Sequence, residues 1–120
     1  MELKSFVTEV YQSIDQADAV KFASYLTPTG SFRFANHPPV TGNQAVEAFV
    51  DGFFKSLKGI RHSDLEYWAT EEVLFVNGTV TYTRHNDTTL ALPFSCTWKM
   101  KELLIDQYLI FIDSSELYQS

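Results

Sequence analysis

The chain has 120 residues, of which 45% are apolar and 18 aromatic (ten Phe, six Tyr, two Trp), and nine Lys and Arg face fifteen Asp and Glu for a net charge of −6. That length allows one core, so residues 1–120 are expected to form a single domain. The acidity argues against nucleic-acid and anionic-membrane surfaces, a single cysteine rules out an internal disulfide, and no apolar stretch nears the roughly 20 residues of a membrane span.

The first apolar residues, Leu3, Phe6, Val7, Val10, Tyr11 and Ile14, follow the spacing of one helix face, with Glu2, Glu9, Gln12, Ser13 and Asp15 opposite. This predicts a helix over Leu3 to Ala17. Asp18 can cap a second helix carrying Val20, Phe22, Ala23 and Leu26, which Pro28 and Gly30 end. Ser31 to Asn36 reads as a short strand with Phe32 and Phe34 on one face. His37-Pro38-Pro39 predicts an extended connection, and Asn43 a cap for a third helix whose face is Val46, Phe49, Val50, Phe53 and Leu57. Gly59 stands where that helix would end.

Beyond Gly59 the period changes from 3.6 to 2. Strands are predicted over Ile60 to Ala69, Val73 to Arg84, Thr88 to Met100 and Ile105 to Asp113. In the third of these, Leu90, Leu92, Phe94, Cys96, Trp98 and Met100 share one face. Three helices and one early strand followed by a four-stranded meander define an α+β domain, with a five-stranded, strongly curved sheet packed by the helices. The N-terminus lacks the basic start and apolar core of a signal peptide, so a cytoplasmic protein is expected.

Several segments in this order resemble the SnoaL-like family of the nuclear transport factor 2-like superfamily. Val10-Tyr11-Gln12-Ser13-Ile14-Asp15-Gln16-Ala17-Asp18 is similar to its helix opening. Phe32-Arg33-Phe34 followed by Pro38-Pro39-Val40-Thr41-Gly42 resembles its next segment. Tyr82-Thr83-Arg84 and Leu92-Pro93-Phe94 are similar to the hairpin, and Ile105 to Asp113 to the closing strand with its terminal aspartate. Two departures stand out: Lys101-Glu102-Leu103-Leu104 replaces the usual Asp-Gly hairpin, and Ser114 the proline after the aspartate. The resemblance implies a cone with a central ligand pocket, in a superfamily that includes polyketide cyclases, ketosteroid isomerases, epoxide hydrolases and members without chemistry.

By this resemblance Asp113 is the expected catalytic acid/base. Its position at the end of an apolar row with Leu109 and Phe111 would raise its pKa by desolvation; the competing expectation is a cap of the Ser114-Ser115-Glu116 turn. The isomerase's base and its acidic donor match Phe34 and Cys96, which cannot supply that chemistry, and Leu92 to Met100 lacks the Arg-x-Asp of the epoxide hydrolases. Tyr11, Phe34, Asn36, Phe49, Phe53, Cys96, Trp98 and Phe111 are expected to line or rim the pocket and bind a small apolar or aromatic ligand. His62, alternating with Asp64 and Glu66, is expected on the outer face of the sheet. His37 and His85 fall in turns, so no metal site is expected, nor is a cofactor. A homodimer through the outer face is expected, with Ser95, Thr97, Tyr67 and Tyr82 on it. The expected function is small-molecule binding with acid/base chemistry of the cyclase or isomerase type; the alternative is a non-catalytic sensing or dimerisation module.

Overall fold

The computed structural model describes residues 2–118. The elements run α1 (Leu3–Asp15), α2 (Ala19–Ser24), β1 (Leu26–Phe34), β2 (Val40–Thr41), α3 (Asn43–Lys55), β3 (Gly59–Ala69), β4 (Val73–Thr83), β5 (Thr89–Lys101) and β6 (Leu104–Phe111). The strands form one open sheet in the order β2-β1-β6-β5-β4-β3. All neighbouring pairs are antiparallel except β1 and β6, which run parallel. The α+β class, the three helices and the β3–β6 meander are as expected from the sequence.

The sheet has six strands rather than five, because Val40 and Thr41 pair with Phe32 and Ser31. The diproline connection therefore turns back along β1 instead of running clear of it. Strand β1 also starts five residues early, at Leu26, and passes through Pro28. Proline's missing N–H is tolerated because this stretch precedes the β2 pairing and lies where the β1–β6 register is irregular.

Helix α1 buries Phe6, Val7, Val10 and Tyr11, as its periodicity predicts, but stops at Asp15. Ala17 takes a left-handed φ of 55°, and the Asp18 N–H reaches back to the Ser13 carbonyl at 2.9 Å, which closes the helix end. Asp18 caps α2 as expected, accepting from the Lys21 N–H at 3.0 Å. Val20 points to solvent; Ala19, Phe22 and Ala23 form the buried face. Gly42, with φ of 94°, takes the N-cap place of α3 instead of Asn43, and Ser56 rather than Gly59 follows its last turn.

The core lies between the helices and one face of the sheet. Val10, Val46, Val76, Trp98 and Ile105 are wholly shielded from water, each large apolar side chain contributing about 1.5–3 kcal/mol by burial. Two face assignments differ from expectation. Tyr82 is buried on the inner face, and Tyr67 pairs with inward-facing Val76 and packs on the core. The outer face instead presents Trp68, Phe75 and Phe111, exposed by 51, 39 and 57%.

The departure in β3 has a local cause. Between Ser63 and Glu66 the β3–β4 register slips, and Asp64 adopts φ of 55°. This bulge resets the alternation. Ile60 and His62 face inward before it, and Glu66 and Trp68 face outward after it. Gly78 lies opposite: a Cβ there would stand 2.8 Å from Leu65 Cδ2 and 3.1 Å from the Ser63 carbonyl oxygen.

Candidate functional site

The inner face of the sheet and helices α1 and α3 enclose a narrow pocket with a cavity volume of about 40 Å³. Strands β1 and β6 supply Phe32, Phe34, Tyr108 and Ile110, and α3 supplies Phe49 and Phe53. Strands β3, β4 and β5 supply His62, Tyr82, Phe94 and Cys96, and α1 supplies Tyr11. Phe53 packs on Phe34 at 4.9 Å between centroids and edge-on to Tyr82 at 6.0 Å, and Phe32 packs on Tyr108 at 5.2 Å. These tilted and edge-to-face pairs fix the ring positions. No lining residue is Asp, Glu, Lys or Arg.

Five residues expected to bind ligand do line the pocket: Tyr11, Phe34, Phe49, Phe53 and Cys96. Trp98 lies behind the wall, stacked on Tyr11 at 5.6 Å. Phe111 is on the opposite, outer face, because the inward residues of β6 are Tyr108 and Ile110, which oppose Trp98 and Cys96. Asn36 lies apart, in a shallow groove with His37, Pro38 and Asp113.

Asp113 does not face the pocket. It is exposed, and its Oδ1 accepts from the Ser115 N–H at 3.1 Å. Hydrogen bonding from Ser115 holds its carboxyl below the usual aspartate range. The turn cap describes Asp113; the buried acid/base does not.

The pocket's own ionisable groups lie deeper. The Cys96 thiol is pushed up to about 12 by burial, so it is a small protonated wall residue and not a nucleophile. Burial, with Cys96 and Tyr108 nearby, raises the Tyr11 hydroxyl well above the ordinary tyrosine value, so it remains a proton-bearing donor. Tyr11 Oη and Trp98 Nε1 are buried polar atoms beside the Cys96 thiol and the Tyr108 hydroxyl.

Beside Tyr11 is a pair that sequence periodicity misassigned. Asp15 sits one turn beyond Tyr11 on α1, and its carboxylate accepts from the His62 backbone N–H at 3.1 and 3.2 Å. Oδ1 also lies 2.6 Å from His62 Nδ1. A carboxylate can only accept, so Nδ1 carries the hydrogen, and in the neutral ring Nε2 is then the nitrogen with the lone pair. The His62 side chain is only 9% exposed, its ring 4.6 Å from Tyr11 and 5.3 Å from Phe94. No hydrogen bond engages Nε2 among the described residues. The sequence carried one usable signal: Tyr11 and Asp15 are four apart, on one side of α1.

The described residues hold no group of three or more His, Cys, Asp or Glu placed to bind a metal. None of their helices is long and apolar enough to cross a membrane.

The family model described as SnoaL-like domain matches residues 7–107, and the chain belongs to that family. Among solved structures, it is similar to a candidate polyketide cyclase from Xanthomonas campestris pv. campestris, with 15% identity and a TM-score of 0.86 over 95% of this chain and 92% of that one. It is also similar to TerC co-crystallised with polyporic acid, at 17% identity and a TM-score of 0.82 over 97% and 95%. A third is a protein of ketosteroid isomerase-like fold from Catenulispora acidiphila in complex with trimethylamine, at 9% identity and a TM-score of 0.81 over 88% and 82%. At these identities the likeness is one of fold. A comparison with curated protein sequences finds no match.

Proposed function

We propose that this protein binds a small, flat, uncharged molecule in its aromatic pocket and carries out acid/base chemistry of the cyclase or isomerase type on it. The observation that carries this reading is the pocket's composition: aromatic and aliphatic walls, no lining carboxylate or cation, and a few convergent polar groups at Tyr11, His62 and Tyr108. That is the usual make-up of a small-molecule site. A charged ligand would lose its hydration there without gaining a counter-charge. The SnoaL-like membership and the neighbours with cyclase descriptions support the reaction class. Native mass spectrometry against a panel of bicyclic and tricyclic aromatic ketones and phenols tests it. Uptake should be one molecule per chain and be lost in Ile110→Trp, which fills the cavity. No uptake of any member, or uptake undiminished by that substitution, would overturn the reading.

A second copy of the chain is the proposed partner, through the outer face of the sheet. Support comes from the exposed aromatics there, with Trp68 directly opposite Phe75 across β3 and β4 and Phe111 two strands away on β6. Apolar clusters of this kind mark association surfaces.

A further inference from the structure

We infer that His62, held by Asp15, is the proton-transfer group of the pocket, and that its substrate is a carbon acid, a ketone with an acidic C–H beside the carbonyl. This rests on the small-molecule reading above and gives that site its chemistry. Four observations converge on it. Asp15 fixes both the backbone and the ring of His62 through contacts of 3.1, 3.2 and 2.6 Å. In the neutral ring, hydrogen on Nδ1 leaves Nε2 as the acceptor on a ring that lines the pocket. Tyr11, whose ring packs on that of His62, brings a buried hydroxyl that keeps its proton. No other lining group offers a basic nitrogen or a carboxylate, since the rest are apolar, phenolic or a buried thiol.

The step balances without any further reagent. The Nε2 lone pair takes the proton from the carbon. The C–H bonding pair becomes the enolate double bond, and the carbonyl π pair moves onto oxygen, where the Tyr11 hydroxyl donates to it. The imidazolium so formed is offset by the Asp15 carboxylate. Returning the proton to a different atom of the same molecule completes an isomerisation. His62 is thus the catalytic residue and Asp15 a positioning residue.

The probe is 2-tetralone, a bicyclic ketone with exchangeable C–H groups, in deuterium oxide. Saturation-transfer NMR reads its binding and the loss of its α-proton signals reads the chemistry. The wild-type protein should bind it and accelerate exchange by about a hundredfold over buffer. His62→Gln and His62→Phe should bind and return exchange to the buffer rate. In the free protein, ¹⁵N NMR of the His62 ring should find hydrogen on Nδ1, and Asp15→Asn should move it to Nε2 and reduce exchange with binding retained. A role in stability alone would leave that tautomer without effect on rate. Binding with exchange at the buffer rate, exchange surviving in both His62 variants, or hydrogen on Nε2 in the wild type would each overturn the assignment while leaving the pocket reading intact. Absence of binding would overturn the pocket reading and this assignment with it.

Discussion

At the scale of single residues, two carboxylates have exchanged the roles that position alone would give them. Asp113 ends an apolar strand, yet its environment is a solvated turn where the Ser115 N–H stabilises its charge. Asp15 lies at the end of a surface helix, yet its carboxylate is only 29% exposed and engages His62. Because the folded pKa of Asp113 is depressed, its contribution to stability is fully present above the unfolded value of about 3.9 and fades as pH falls through the lower folded value. Asp113→Asn should therefore remove a small acid-limb dependence of stability and leave ligand uptake unchanged. NMR titration of Asp113 together with acid unfolding of the variant measures this; a raised pKa, or loss of ligand uptake in the variant, would count against it.

At the scale of elements, the bulge in β3 decides what the pocket contains. Gly78 makes room for it, and an alanine there would press on Leu65, Phe94 and the Ser63 carbonyl. A leucine tip can move, but a backbone carbonyl next to His62 cannot do so without cost. Gly78→Ala should destabilise by about 1–3 kcal/mol and weaken ligand uptake. Gly52→Ala, where an added Cβ meets nothing within 4 Å, should stabilise α3 by about 0.5–1 kcal/mol. Urea denaturation of the two variants, measured side by side, checks the opposite signs. The same bulge explains what was legible in the sequence. Strand β5 alternates without interruption, so period 2 alone groups Phe94, Cys96 and Trp98 on one face, the buried one. Strand β3 does not, and strict alternation from Asp64 and Glu66 carries His62 to the wrong face. Strand β6 is apolar at every position from Tyr108 to Ile112, so period 2 separates its faces without saying which is inside. Counting back from Asp113 puts Phe111 inside, where the structure has Tyr108 and Ile110. The helices set fewer traps, since α1 and α3 each show one apolar stripe.

At the scale of the whole molecule, the sheet presents two unlike surfaces. Its inner face carries pocket and core; its outer face carries Thr and Ser positions interrupted by Trp68, Phe75 and Phe111. Pairing of two copies across that outer face would leave both pockets open, since they lie on the far side of each sheet. Light scattering at micromolar concentration should give twice the chain mass, and the double substitution Phe75→Glu, Phe111→Glu should halve it with ligand uptake retained. A monomer mass for the wild type would rule the association out.

The parallel seam between β1 and β6 places Phe32 beside Tyr108, and so joins two pocket walls drawn from distant parts of the chain. The β3–β6 meander can assemble from neighbouring segments, each closing a short loop. The seam must join Leu26 to Ile105, about two-thirds of the polypeptide apart, at a higher cost in chain entropy. Detachment of β1 would therefore part the pocket wall at Phe32 from the one at Tyr108. A bound molecule touching both Phe32 and Tyr108 would act as a clasp on that seam, so that occupancy and the kinetic lifetime of the folded chain rise together.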